Sequence, residues 1–463
     1  MLLLDFPPEI FQNIIHELVA ETGACGAWKL RSVSKVFDAE IRYDVLVKQP
    51  QSIPCRDNSH DCIRLQQHIT TLHLVDLIHN PRNHDTRLLS IITDLAQYVC
   101  GELGLDDIEQ GEIIESLCKG AVKHLDSNIV LEHLWSVRPN ENVSDGHLKT
   151  PSLELSIREY KNGKVQERMV AAIAADAYGL VIALMSTFTP ESTATSSVFG
   201  EPLQFAISIG NHEMVEIIIE KFLSLRSVIP RKYINFIGYF GSQIACAVPC
   251  AIAERRLAIL HTLVEAFKIH KIVASTIRRT DFDKWLLRAI RTRTVDFVRA
   301  VLDIPINSGA KVSLSVFITA CNQGIPDIVT ALIGDRLMDP NKEFMDATPL
   351  IVATRTGNLD VVKAVLDAGA YVNGVSKSSD TALEQALMIR KAPSMEKREA
   401  AVRLLLSYGA TLPPFPKWPI TPGLWDIFRE TNIARGAMLP PPTFKLHRTN
   451  VQRRIRKMKN GVS

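Results

Sequence analysis

The 463-residue sequence lacks a long apolar run, an excess of charge of either sign and a cysteine framework. Its most apolar stretch, Val170 to Met185, falls short of the roughly 20 residues that a membrane span needs and is interrupted by Asp176. The start, Met1-Leu2-Leu3-Leu4-Asp5, has neither the basic region nor the longer apolar segment of a signal peptide. Lys plus Arg number 53 against 50 Asp plus Glu, so bulk charge selects no partner. The cysteines, at 25, 55, 62, 100, 118, 246, 250 and 321, are scattered, as expected for thiols in a reducing compartment. These absences lead to the expectation of a soluble, intracellular protein, cytoplasmic and/or nuclear. The 46% apolar content is ordinary for a chain that buries a core and excludes a mostly disordered or fibrous one.

Signs of catalysis are equally sparse. The phosphate-binding pattern G-x-x-x-x-G-K-[ST] does not occur. Ser32 to Lys35 and Ser116 to Lys119 fit S-x-x-K, a pattern too short to specify a nucleophile, and both lie in helical runs. Cys55, His60, Cys62 and His68 fall within fourteen residues and have the chemistry of zinc ligands, but their spacing matches no standard knuckle. They read as isolated polar loop residues. Cys246 and Cys250 share a helix face and read as a buried thiol pair; Glu109, Glu112 and Glu115 read as a solvated helix face. The expectation is a protein that is not an enzyme, with no catalytic residue, no metal site and no cofactor.

What the sequence does contain is a repeat. Alanines at 172, 206, 251, 289, 320, 353 and 386 anchor a common frame. Three residues before each stand Met169, Leu203, Val248, Leu286, Phe317, Leu350 and Leu383. Nine after stand Val181, Val215, Leu260, Val298, Val329 and Val362, with further apolar pairs at twelve and thirteen, such as Val365-Leu366. The first two columns share one face of a short helix and the others one face of a second helix. Gly210, Gly324, Gly357 and Gly369 fall where such helices stop, and Thr348-Pro349 opens the clearest unit. A single pair of this kind cannot bury both faces, so the units must stack.

The run Thr348-Pro349-Leu350-Ile351-Val352-Ala353, then Gly357-Asn358-Leu359-Asp360-Val361-Val362, then Val365-Leu366-Asp367-Ala368-Gly369-Ala370-Tyr371-Val372-Asn373, resembles the ankyrin repeat, with Ile351 where that family usually has histidine. The resemblance spans residues 168–412; the units around Ala251 and Ala289 are degenerate, and residues 223–247 are an unplaced insertion. It implies that a partner protein is held on turn tips and exposed first-helix positions. Those are Phe344, Met345, Ala347, Arg355 and Thr356, then Lys377, Ser378 and Met388. The Phe344-Met345 pair suits either an apolar anchor or a plug folded under the next repeat.

At the other end, Pro8 suits the opening turn of a helix, and Ile10, Ile14 and Leu18 form an amphipathic stripe. Leu30, Val33, Val36 or Phe37, and Ile41 form another. Fifty residues of short helices bury little surface alone, so a partner surface is expected. These segments resemble the F-box, the adaptor-binding module of cullin-type ubiquitin ligases, with Phe6 in place of the usual leucine. Carried over, Pro7, Pro8, Ile10, Ile14 and Leu18 take its first motif, and Leu30, Val33, Lys35 and Phe37 its second.

The expected architecture is all-α: F-box helices over 1–50, a helical linking segment over 51–150, about seven ankyrin repeats over 151–412, several of them degenerate, and a Pro-rich, basic tail over 413–463. Within the linking segment, helices are expected at 87–103 and 108–134. The tail's Arg448, Arg453, Arg454, Arg456 and Lys457 suit a solvated segment first and a nuclear-import or nucleic-acid patch second. Together, the resemblances suggest a protein of the fungal-type F-box/ankyrin family. They imply a substrate receptor whose partners are a Skp-family adaptor, a cullin ligase and a target protein, with no membrane and no nucleic acid. The alternatives are a non-ligase ankyrin scaffold, in which the first helices only cap the stack, and a chromatin-associated binder.

Overall fold

The computed structural model describes residues 7–55, 59–82, 84, 86–135, 165–187, 198–228, 234–269, 277–305, 313–334, 338–341, 347–375, 380–388, 395–413 and 421–436. The fold is all-α. Among the described residues there is no β-strand, only an isolated antiparallel bridge between Val375 and Thr381. The chain divides into two compact units, Met1–Thr276 and Ile277–Ser463.

The first unit opens with α1 (Pro8–Trp28), interrupted at Gly23, and α2 (Lys35–Tyr43). Then come α3 (His60–His79), α4 (Arg87–Leu103), α5 (Asp107–Leu125) and α6 (Ser127–Trp135). The expected helix over 108–134 is broken at Asp126, where φ is 73°, so it is two helices. Asp106 starts α5 with a capping box, accepting from the Ile108 and Glu109 amides while Glu109 accepts from the Asp106 amide. Three helix pairs follow: α7 (Val165–Ala174) with α8 (Tyr178–Ser186), α9 (Pro202–Ile209) with α10 (His212–Val228), and α11 (Ile234–Ala253) with α12 (Leu257–Ile269). The insertion of 223–247 is absorbed largely by lengthening α10 and α11, not by a separate element.

The second unit continues the pattern. Its pairs are α13 (Arg279–Arg291) with α14 (Val295–Leu302), α15 (Leu314–Gln323) with α16 (Pro326–Gly334), α17 (Pro349–Thr356) with α18 (Leu359–Asp367), and α19 (Ala382–Met388) with α20 (Met395–Ser407). Within each unit, first helices pack on first helices and second on second: α7 on α9 on α11 and α8 on α10 on α12, then α13 through α19 and α14 through α20 in the same way.

The anchor alanines explain the close layering. All seven are completely buried, and so are the columns three before and nine after them, to within 1%. A larger side chain at the anchor would force neighbouring layers apart, at a cost of about 1–3 kcal/mol for overpacking. The turn after each first helix is equally regular. Four residues past the anchor, φ is positive in every described unit: Asp176, Gly210, Arg255, Arg293, Gly324 and Gly357. The degenerate units keep the left-handed turn with side chains that disfavour it.

Asparagines tie successive units at the other end of each pair. Asn341 donates to the Gly369 carbonyl at 3.1 Å and accepts from the Tyr371 amide at 2.6 Å. Asn373 repeats the arrangement one unit on, with the Gly409 carbonyl at 3.3 Å and the Thr411 amide at 2.7 Å.

In each unit a helix outside the repeats packs against a repeat pair. In the first unit α4 and α5 pack on α7, and α5 reaches α9, where Gly120 leaves room for the Phe205 ring. Lys123 of α5 pairs with Glu254 at 2.9 Å and donates to the Ser208 carbonyl at 3.1 Å. In the second unit, residues assigned by sequence to a Pro-rich tail instead form α21 (Pro422–Ala434), packed on α20. Pro422 sits in its first turn, where no amide is needed, and Leu424, Ile427 and Phe428 are buried. Arg435 then donates to the carbonyls of Leu406 and Ala410. The prolines flanking this helix obscured it in the sequence. Residues 437–463, including the basic cluster, lie outside the described residues.

Arg255→Gly and Arg293→Gly should each raise the thermal midpoint by relieving about 1 kcal/mol of left-handed strain, whereas Gly357→Val should lower it comparably. Thermal unfolding followed by circular dichroism checks both signs; unchanged midpoints would show that the turns carry no strain.

Candidate functional site

Two surfaces present side chains that the fold itself does not need. The first lies on α1 and α2. Helix α1 is apolar on two faces, and the inner one is Phe11, Ile15 and Val19, all buried. Phe11 meets Phe37 edge-on at 5.3 Å, so the opening half of α1 lies beside the start of α2, where Ser34 accepts from the Phe37 amide. Further along, Gln12 donates to Glu40 at 3.3 Å. The buried Asp44 carboxylate lies 3.0 Å from His16 Nδ1 and accepts from Gln49 at 2.7 Å, and Gln49 also donates to the His16 carbonyl.

With the interior filled in this way, the residues of the F-box resemblance fall outside. Ile10 is 45% exposed and Val33 64%; Ile14 and Leu30 are also exposed, and Val36 beside them. Pro7, Pro8 and Lys35 are exposed, while Leu18 and Phe37 are half-buried. Several large aliphatic side chains of α1, α2 and the turn between them thus stand at the surface, as an interaction site requires.

The platform beneath is anchored through α3. His73, fully buried, shares a 3.0 Å hydrogen bond with the Leu46 carbonyl, which lies in the π-helical turn after α2. Burial first, then the neighbouring His84, lowers its pKa from 6.5 to about 4. Trp28 is also buried, with the Arg31 guanidinium 4.9 Å from its ring and that of Arg42 at 5.7 Å.

The second surface is the row of first helices in the second unit. Arg355 is exposed on α17 and reaches across to Gln385 of α19, donating at 3.2 Å. Arg288 and Arg291 are exposed on α13, and Ile318 of α15 is 37% exposed; sequence reasoning passed over all three. Their signal is positional, since each stands within two residues of an anchor alanine. Other expected contact residues have local duties. Ala347 is only 6% exposed and packs inside the repeat, so it is not available to a partner. Thr356 is half-buried and donates to the Ala353 carbonyl at 2.7 Å, closing the helix end. Phe344, Met345, Lys377 and Ser378 lie outside the described residues, and Met388 ends α19.

The cysteines are not arranged as expected. Cys246 is exposed and Cys250 half-buried, so this is no buried pair; successive turns of α11 turn them only partly inward. Cys55 and Cys62 are not isolated polar loop residues either. Cys62 is buried in the first turn of α3, where Cys55 and Cys25 meet it.

Among known proteins, the model for the ankyrin repeats family matches in three copies over residues 286–376 and 316–413. Solved structures include a similar chain described as the ankyrin repeat domain of Bcl-3, a unique member of the IkappaB protein family. It is 21% identical, the match covers 49% of this chain and 97% of that one, and the TM-score is 0.35. No curated protein sequence matches the chain. The chain thus carries ankyrin repeats, a module for protein–protein interaction. Among the described residues, no helix is long and apolar enough to cross a membrane.

Two outcomes test this surface and its support. Ile10→Ser with Val33→Ser should change stability by no more than about 0.5 kcal/mol each, as exposed positions do, whereas Phe11→Ala should cost about 3–5 kcal/mol; urea midpoints distinguish the two faces. Because the folded pKa of His73 lies below its unfolded value, protonation favours the unfolded chain. Its contribution is full above pH 6.5 and is lost as pH falls toward 4, a difference of about 3 kcal/mol. His73→Leu should flatten that slope without abolishing it, since burial lowers the pKa of His84 and His124 too.

Proposed function

We propose that this protein is the substrate-recognition subunit of a Skp/cullin/F-box-type ubiquitin ligase, with α1 and α2 docking on a Skp-family adaptor and the ankyrin repeats holding a target protein. The observation that carries the reading is the exposure of Ile10, Ile14, Leu30 and Val33, four positions of the F-box resemblance, while Phe11, Ile15 and Val19 make the core. In this reading the chain has no catalytic residue of its own. Ubiquitin transfer takes place on enzymes recruited through the cullin, and the repeats act by raising the effective concentration of the target's lysines near them. The exposed Arg288, Arg291 and Arg355, with Ile318 beside them in the row, suit a target segment that is acidic with apolar positions.

The competing reading is a scaffold without a ligase role, in which the N-terminal helices cap the stack. It accounts for the repeats and leaves the exposed aliphatic row without a purpose, because α4 and α5 already cover the first repeat.

Full-length protein should co-purify with a Skp-family adaptor, and Ile10→Ala with Val33→Ala should weaken that binding at least tenfold. Each buried aliphatic side chain contributes about 1.5–3 kcal/mol, and 1.4 kcal/mol is about tenfold in affinity. Arg355→Glu should leave adaptor binding unchanged. If the folded full-length chain ignores the adaptor, the scaffold reading stands.

A further inference from the structure

Three cysteines far apart in sequence meet at the joint between the N-terminal helices and α3. Cys25 lies two residues past the break at Gly23, Cys55 follows the short 3-10 turn at Pro50–Ser52, and Cys62 occupies the first turn of α3. Their three Sγ atoms all lie within 4.8 Å of one another, and the Cys55 and Cys62 sulfurs are 2.6 Å apart. Cys25 and Cys62 are buried, and Cys55 is half-buried. The chain's other five cysteines join no such group among the described residues.

We propose that Cys25, Cys55 and Cys62 form a binding site for a single thiophilic closed-shell cation, Zn(II) being the working species. Soft thiolates select such ions, and a tetrahedral zinc with bonds of about 2.3 Å needs its sulfurs about 3.8 Å apart. The cluster brackets that spacing. The short Cys55–Cys62 separation has to open slightly, which a half-buried Cys55 outside any helix accommodates more readily than the two buried cysteines set in helices. Among the described residues the three thiols are the donors that meet at this point.

On binding, three S–H bonds are exchanged for three S–metal bonds and up to three protons pass to solvent. The bound ion would clip the end of α1 to the start of α3 across the 37 positions from Cys25 to Cys62.

The test is a Co(II) titration of the reduced full-length protein, with metal content measured by mass spectrometry after Zn(II) loading. One equivalent of cobalt should give an intense thiolate-to-metal charge-transfer band that Zn(II) abolishes. Cys55→Ser, the substitution least disturbing to the core, should weaken binding at least tenfold, while Cys321→Ser should not. A chelator should lower the thermal midpoint of the zinc-loaded wild type and leave that of Cys55→Ser unchanged. Absence of the charge-transfer band overturns the proposal. So does a band that survives Cys55→Ser, or a Cys55–Cys62 disulfide in protein that takes up no metal.

Discussion

Within each unit the helix pairs are apolar on two sides, so a pair depends on what is packed against it. The anchor alanine is where this constraint is sharpest. It is fully buried in all seven pairs, and within each unit it sets how near one first helix lies to the next. Everything else in the repeats serves that approach. Turns must reverse the chain in few residues, second helices must present aliphatic residues at fixed offsets, and the outermost layers must be covered by something that is not a repeat. The covers are α4 and α5 in the first unit and α21 in the second, and each buries apolar residues against the pair beside it.

The constraint also explains what the degenerate units gave up and what they kept. Around Ala251 and Ala289 the glycine at the first turn is replaced by Arg255 and Arg293, yet both residues remain at positive φ. Layer spacing outranks the local preference of one residue, since a turn of another shape would displace the whole second helix. The asparagine bridges through Asn341 and Asn373 act in the same direction, satisfying backbone groups of the next unit that no helix can reach.

These priorities decide what was legible in the sequence. The anchor columns could be read because burial between layers tolerates few residue types at a fixed spacing, and α4 occupies the very span, 87–103, that its periodicity predicts. Helix α1 was less legible. Its stripes Ile10-Ile14-Leu18 and Phe11-Ile15-Val19 differ by one position, and periodicity cannot say which one faces the core. Helix α21 was hidden by proline clusters on either side. The thiol cluster was only half visible: Cys55 and Cys62 are close in sequence, but Cys25 joins them from beyond a break in α1 at Gly23 that no local pattern announces. On the repeat surface Ala347 was misjudged, because a small side chain near a turn looks available until the next layer covers it.

The contacts made by α5 have a consequence for how such an array changes over time. Gly120 accommodates one particular ring, Phe205, and Lys123 reaches both the Ser208 carbonyl and Glu254, so a single helix is keyed to features of two successive pairs. The opening pairs are therefore not interchangeable modules. Removing or duplicating one of them would leave that cover without its matching features, so the leading pairs and α5 can change only as one piece.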